Sequence, residues 1–258
     1  MKTTVRNIII IILLAAIVVT FHIVRRNATM RGMESYVADT RSRILSPADV
    51  DSLVLLSFPK LLETDIKDLD RRAVETALLA HPYVLDADVS VSTGGKPIVK
   101  VTPHEPVVRM FYQNNEFYIS QQGTCMPLTT KHYCNTLVGN VIPDEPLLRK
   151  PTGLDLTDTA NHNQPQSLMK IWKTASFLYN NPKYGYVFDQ ISIASNGDIC
   201  LTPKLGDLTI VVGDTSQLDI KFENLWAFLD QGISLVGWDT YSTINLKFKN
   251  QVVCTKKQ

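Results

Sequence analysis

An unbroken apolar run near the start of the chain limits what the rest can be. Every residue from position 8 to position 19 is apolar, and Thr20, Phe21, His22, Ile23 and Val24 extend the run until Arg25 and Arg26 stop it. As a helix, the 17 residues 8–24 would measure about 25 Å at about 1.5 Å per residue. That is the lower limit for a hydrocarbon core of about 30 Å, and bilayer thinning or snorkelling by Arg25 closes the gap. The spacing therefore predicts one transmembrane helix over 8–24. A cleaved signal peptide shares the basic start, Lys2 and Arg6, but needs small residues before its cleavage point, where this chain has Phe21, His22, Ile23 and Val24. An uncleaved anchor is the expectation. Charge does not orient it, because Arg25, Arg26 and Arg31 flank the far side at least as basically as Lys2 and Arg6 flank the near side.

The 258 residues leave room beyond that run for two modest domains. Lysine and arginine number 26 against 25 acidic residues, so no net charge argues for binding nucleic acid. The four cysteines, Cys125, Cys134, Cys200 and Cys254, form no CxxC pair, which argues against structural zinc. A disulfide such as Cys125 to Cys134 and buried thiols both stay open as readings.

The first soluble stretch reads as a small α+β domain. A candidate strand at 33–39 precedes a helix start at Ser46, Pro47, Ala48 and Asp49, where Ser46 is placed as N-cap and Asp49 to complete a capping box. A second helix begins near Asp70, with Leu69 and Val74 as a hydrophobic staple, and ends at His81-Pro82. The period then changes to two: Ala87, Val89 and Val91 alternate with Asp86, Asp88 and Ser90. Thr93-Gly94-Gly95-Lys96 reads as a hairpin loop returning through Val99 and Val101. The order strand, helix, helix, strand, strand puts helices on one sheet face.

Beyond position 110 the chain is strand-rich, with candidates at 116–120, 191–194, 199–202, 208–212, 243–248 and 251–255. Two amphipathic helices interrupt them, at 166–179 and 219–231. Their apolar stripes are core rather than ligand pocket. The proline-rich segment 143–165 reads as a surface loop.

Phosphate-loop, dinucleotide, HExxH, GxSxG and EF-hand motifs are all missing, which weighs against an enzyme. His81, His104, His132 and His162 fall in separate contexts with no metal-ligand spacing. Glu63, Asp65, Asp68 and Asp70 crowd the approach to a helix, where acids complement the dipole. No cofactor, metal or catalytic residue is expected.

Several motifs, taken in order, resemble the bacterial cell-division family FtsQ/DivIB. Residues Leu78 through Val89, with His81-Pro82-Tyr83-Val84 and Ala87-Asp88-Val89, are similar to the family's "hP.V..A.V" helix exit. Val99-Lys100-Val101 with Glu105-Pro106-Val107-Val108-Arg109 is similar to "I.V.E..PVAR", and Phe117-Tyr118-Ile119-Ser120 with Gly123 to "y.iD..G". Tyr241-Ser242-Thr243-Ile244-Asn245-Leu246-Lys247-Phe248 resembles "Y..vDLRY". Ser120 stands where the family often has Asp, and Pro103-His104 interrupts the usual acidic strand end. The short tail after the last strand resembles the FtsQ form.

The resemblance implies a cytoplasmic start at 1–7, the transmembrane helix at 8–24, a POTRA domain at 33–112 and a mixed β-domain with two helices at 113–258. It implies a non-enzymatic scaffold of the divisome, in the plasma membrane with its domains outside the cytoplasm at the septum. Its partners would be FtsB-like and FtsL-like bitopic proteins, with no nucleic acid or small-molecule substrate. Recruitment maps loosely to 62–70. The partner contact, by strand addition to a sheet edge, maps to Lys247, Phe248, Asn250, Gln251, Val252 and Val253. An edge strand offers main-chain groups that an added strand pairs with. The rival readings are a membrane-anchored exported enzyme acting on cell-wall or surface polymers, and a POTRA-bearing assembly factor.

Overall fold

The computed structural model describes residues 2–26, 29–30, 32–112, 115–132, 134–141, 151–158, 164–233, 237, 240–249 and 251–257. Most of the loop expected at 143–165, His162 included, lies outside them. Helix α1 (Lys2–Arg26) takes in the whole apolar run. Among the described residues, however, no helix is long and apolar enough to cross a membrane. The side chains of α1 described in unbroken succession cover 9–21, about 20 Å of helix. The span expected at 8–24 is thus not shown by the structure.

The chain divides into two compact units. The first takes Met1–Thr40 and Leu45–Pro103, and the second Arg41–Ile44 and His104–Gln258. The division falls at 103/104, nine residues before the 112/113 boundary expected from sequence. The reason is β4 (Pro106–Tyr112), which pairs with β5 (Asn115–Ser120) and β7 (Leu137–Val141) in the second unit's sheet.

In the first unit, strand β1 (Glu34–Val37), helices α2 (Pro47–Ser57) and α3 (Arg71–Leu79), and strands β2 (Val84–Val91) and β3 (Pro97–Pro103) follow the expected order. Ser46 caps α2 and accepts from Asp49 N at 3.3 Å, while Asp49 Oδ2 accepts from Ser46 N at 3.0 Å. Each bond satisfies an amide that the first turn leaves over. Asp70 caps α3 by accepting from Ala73 N at 3.0 Å. Gly95 turns the hairpin at φ +82, and Ser92 N donates to Lys96 O at 2.8 Å. The sheet order is β1-β3-β2, and Val50, Val54, Val74, Leu78, Val89 and Val99 are buried between sheet and helices.

The second unit adds strands β6 (Cys125–Pro127), β8 (Phe188–Ile193), β9 (Ile199–Pro203), β10 (Thr209–Gly213), β11 (Tyr241–Asn245) and β12 (Val253–Lys256). Together they form a nine-stranded sheet with the order β12-β11-β10-β9-β8-β7-β4-β5-β6. Helix α4 (Gln166–Asn180) bridges the parallel pair β7 and β8, and α5 (Leu218–Phe228) the parallel pair β10 and β11. Parallel neighbours need such crossovers.

One register row orders the core. Ile244, Ile210, Leu201, Ile191, Gly139, Met110 and Phe117 stand partner to partner across seven strands. All but the glycine are buried apolar side chains, and the inner stripes of α4 (Leu168, Ile171, Ala175, Leu178) and α5 (Phe222, Leu225) join the same cluster. Gly139 has no side chain because Met110 fills its place: a Cβ there would meet the Met110 sulfur and lie 2.9 Å from Val108 Cγ2. Both neighbours belong to the packed core, so neither yields cheaply. Gly139→Ala should therefore destabilise the second unit by about 1–3 kcal/mol, read as a lowered denaturation midpoint.

Candidate partner-binding margin

Strand β12 ends the large sheet. It pairs with β11 on one side, and among the described residues no strand pairs with it on the other. The bonding pattern says which of its groups face outward. Leu246 N donates to Val211 O of β10 at 2.8 Å, so Leu246 and Ile244 turn their main-chain groups toward β10, and Thr243 and Asn245 turn theirs toward β12. Asn245 is opposite Val253 and Thr243 opposite Thr255. Val253 and Thr255 consequently point their amides and carbonyls inward. Lys257 N, donating to Thr240 O at 3.1 Å, keeps the same parity past the irregularity in β11. The alternate residues Cys254 and Lys256 direct theirs away from the sheet.

The positions expected to make the contact lie around this margin without all forming it. Lys247 is spent internally: its Nζ lies 2.7 Å from Asp198 Oδ2 and its amide donates to Asn245 Oδ1 at 3.0 Å. That side-chain-capped turn ends β11 at Asn245, three residues before the limit expected from sequence. Phe248 is half exposed at 51 %. Asn250 lies outside the described residues. Gln251 N donates to Phe248 O at 3.3 Å, so the chain is still turning there, and β12 begins only at Val253. Val252 packs against the core, and the Val253 side chain is 43 % exposed. Cys254 and Lys256, whose main-chain groups face outward, were not among the positions expected from sequence. The period-two alternation beside the Asn245 turn carries the signal that selects them.

Next to the margin a cavity of about 200 Å³ is lined by Ile220, Leu246, Lys247, Phe248, Asp198 and Lys221 among others. Across it Lys221 Nζ donates to Asp214 Oδ1 at 2.7 Å, and this bond, with a second from Ser216, holds the Asp214 carboxyl well below the usual carboxylate range.

Other groups singled out from sequence serve local structure. Asp70 is a helix cap, and Asp65 lies 3.5 Å from Lys67. The four cysteines are unbonded thiols, with Cys125 and Cys134 buried, and burial pushes Cys125 up to about 12. Among the described residues no group of three or more His, Cys, Asp or Glu could hold a metal ion.

The sequence matches the family described as FtsQ/DivIB, C-terminal related, over residues 105–255. The match covers more than half of the chain and takes in the large sheet from β4 to nearly the end of β12, so the chain belongs to the FtsQ/DivIB family. No curated protein matches it.

His104 lies just before the matched region, buried, with Nδ1 at 3.3 Å from Gln122 Oε1. Burial lowers its pKa below the ordinary 6.5, against the raising influence of the Gln122 bond and of Asp155. With the folded value below the unfolded one, stability is full above the unfolded pKa and falls as the unfolded chain takes up the proton. The denaturation midpoint of the second unit should thus fall between about pH 7.5 and pH 5.5, and His104→Gln should flatten that fall.

Proposed function

We propose that this FtsQ/DivIB-family protein is a non-enzymatic scaffold of the bacterial division machinery, held in the plasma membrane by α1. Its two units lie outside the cytoplasm at the septum, where it captures small bitopic partners of the FtsB and FtsL kind and links them to cell-wall synthesis.

The observation that carries the proposal is the outer margin of β12, where Cys254 and Lys256 offer outward amides and carbonyls at alternate positions. A strand added there would gain main-chain bonds from this chain and specificity from its alternate side chains. Phe248 and Val253, both well exposed, give it apolar surface beside the ladder. Lys256 at the end of the strand and Lys257 after it would act as charged guards against indiscriminate pairing.

Anchoring rests on α1. Its large apolar side chains Ile11, Ile12, Ile17 and Val18 are each about three-fifths exposed, at 66 %, 62 %, 59 % and 61 %. Uncovered apolar surface of that extent marks an interaction site, and a bilayer would cover it. The helix runs for 25 residues, and the apolar run 8–24 within it, about 25 Å long, would reach across a core of about 30 Å with bilayer thinning or snorkelling by Arg25. The anchored-enzyme reading has no specific observation in its favour.

The test exploits the parity of β12. The Cys254 amide points outward, so proline there removes a donor that β11 does not use, as edge strands tolerate. Cys254→Pro should leave the thermal midpoint within a few degrees of the parent and reduce capture of purified FtsB/FtsL-type partners by at least about tenfold. Cys254→Val, which keeps the amide, should bind like the parent. Equal capture by the proline variant would remove the strand-addition proposal.

A further inference from the structure

The first unit has a margin of its own at β2, and there the main chain is not left open. Ser92 N donates to Lys96 O at the hairpin, and the register pairs Ser90 with Ile98, Asp88 with Lys100 and Val89 with Val99. Alternation from the bonded 92/96 pair makes Ser90 and Asp88 the residues that bond to β3. On the other side of β3, Val101 O accepts from Ala38 N, which fixes the odd-numbered residues of β3 as facing β1. Ala87, Val89 and Val91 therefore direct their amides and carbonyls outward, away from the sheet. The middle one is occupied from within: Glu75, on α3, reaches over the margin and its Oε1 accepts from Val89 N at 2.9 Å.

We propose that Glu75 is a guard that keeps β2 from pairing with β2 of a second copy of this chain. The pairing it prevents is a two-fold one centred on Val89. In it Val89 stands opposite its own counterpart and Ala87 opposite Val91, three bonded pairs with about six main-chain bonds in all. Side-chain chemistry permits this arrangement. Asp88 would stand opposite Ser90 and Asp86 opposite Ser92, so no carboxylates face one another directly. The inner sides of Ala87, Val89 and Val91 would continue the apolar sheet face across the joint. Only the centre is blocked, because the carboxylate already holds the Val89 amide in each copy and its side chain fills the place an incoming carbonyl needs. The inference is independent of β12, since it concerns a different sheet and a different unit.

The experiment uses the full-length chain in detergent, where association through α1 is common to every variant. In the parent, exchange of the Val89 amide should be slow while those of Ala87 and Val91 are fast. Glu75→Ala should speed exchange at Val89 by roughly 10- to 100-fold at low protein concentration, with Asp88 and Ser90 still protected by β3. At high concentration the same variant should form dimers by sedimentation. Glu75→Gln keeps an accepting carbonyl and should remain as the parent. Glu75→Ala with Ala87→Pro should lose the dimer, because Ala87 N faces outward and its loss spares β3. A fast Val89 amide in the parent, a Glu75→Ala chain no more associated than the parent, or a dimer that Ala87→Pro leaves intact would overturn the proposal.

Discussion

Main-chain pairing along a single register row is what the second unit depends on. Because Ile244, Ile210, Leu201, Ile191, Met110 and Phe117 share one row, the stripes of α4 and α5 meet a continuous apolar surface rather than separate patches. A slip of one residue in any strand would turn its apolar side chains to the opposite face. Packing and hydrogen bonding thus fix one another, and the parity fixed at Leu246 and Val211 carries through β11 into β12. The direction in which Cys254 points its amide is set by contacts made on the far side of β11.

That same coupling explains how the two sheets differ at their margins. An edge strand exposes groups that any extended chain can pair with, and proteins limit the hazard with charges, short strands or internal cover. Strand β12 is short and has lysines at its end, Lys256 within it and Lys257 after it. Strand β2 is twice as long, at 8 residues against 4, and carries exposed Asp86 and Asp88 together with Glu75 on its central amide. The longer and more hazardous edge is the one with internal cover.

Much of this was legible in the sequence wherever a local rule decided the outcome. Ser46 with Asp49, Asp70 ahead of Ala73, and Gly95 each impose their geometry on a few neighbours, and helices and a hairpin formed there as expected. The match to FtsQ/DivIB over 105–255 agrees with the resemblance drawn from motif order. Less legible were elements decided by tertiary contact. Strand β7 contains Gly139, which reads as a breaker until the Met110 side chain is seen occupying its place. Strand β4 reads as apolar nearly throughout because its outer face carries Phe111, 38 % exposed, so the sequence hides the alternation that burial shows from Val108 to Tyr112. At the candidate site the expected contact positions run from 247 to 253, whereas β12 itself begins only at Val253. Sequence spacing locates a strand, but only its bonded neighbour tells which residues face out.

The most direct measurement is amide hydrogen exchange along β12 in the unbound protein. Slow exchange at Val253 and Thr255 with fast exchange at Cys254 and Lys256 is the expected alternation, since only the first pair is bonded to β11. Uniform protection through all four would mean that this margin is already covered from within, and β12 would then offer no open edge on which to hold a partner.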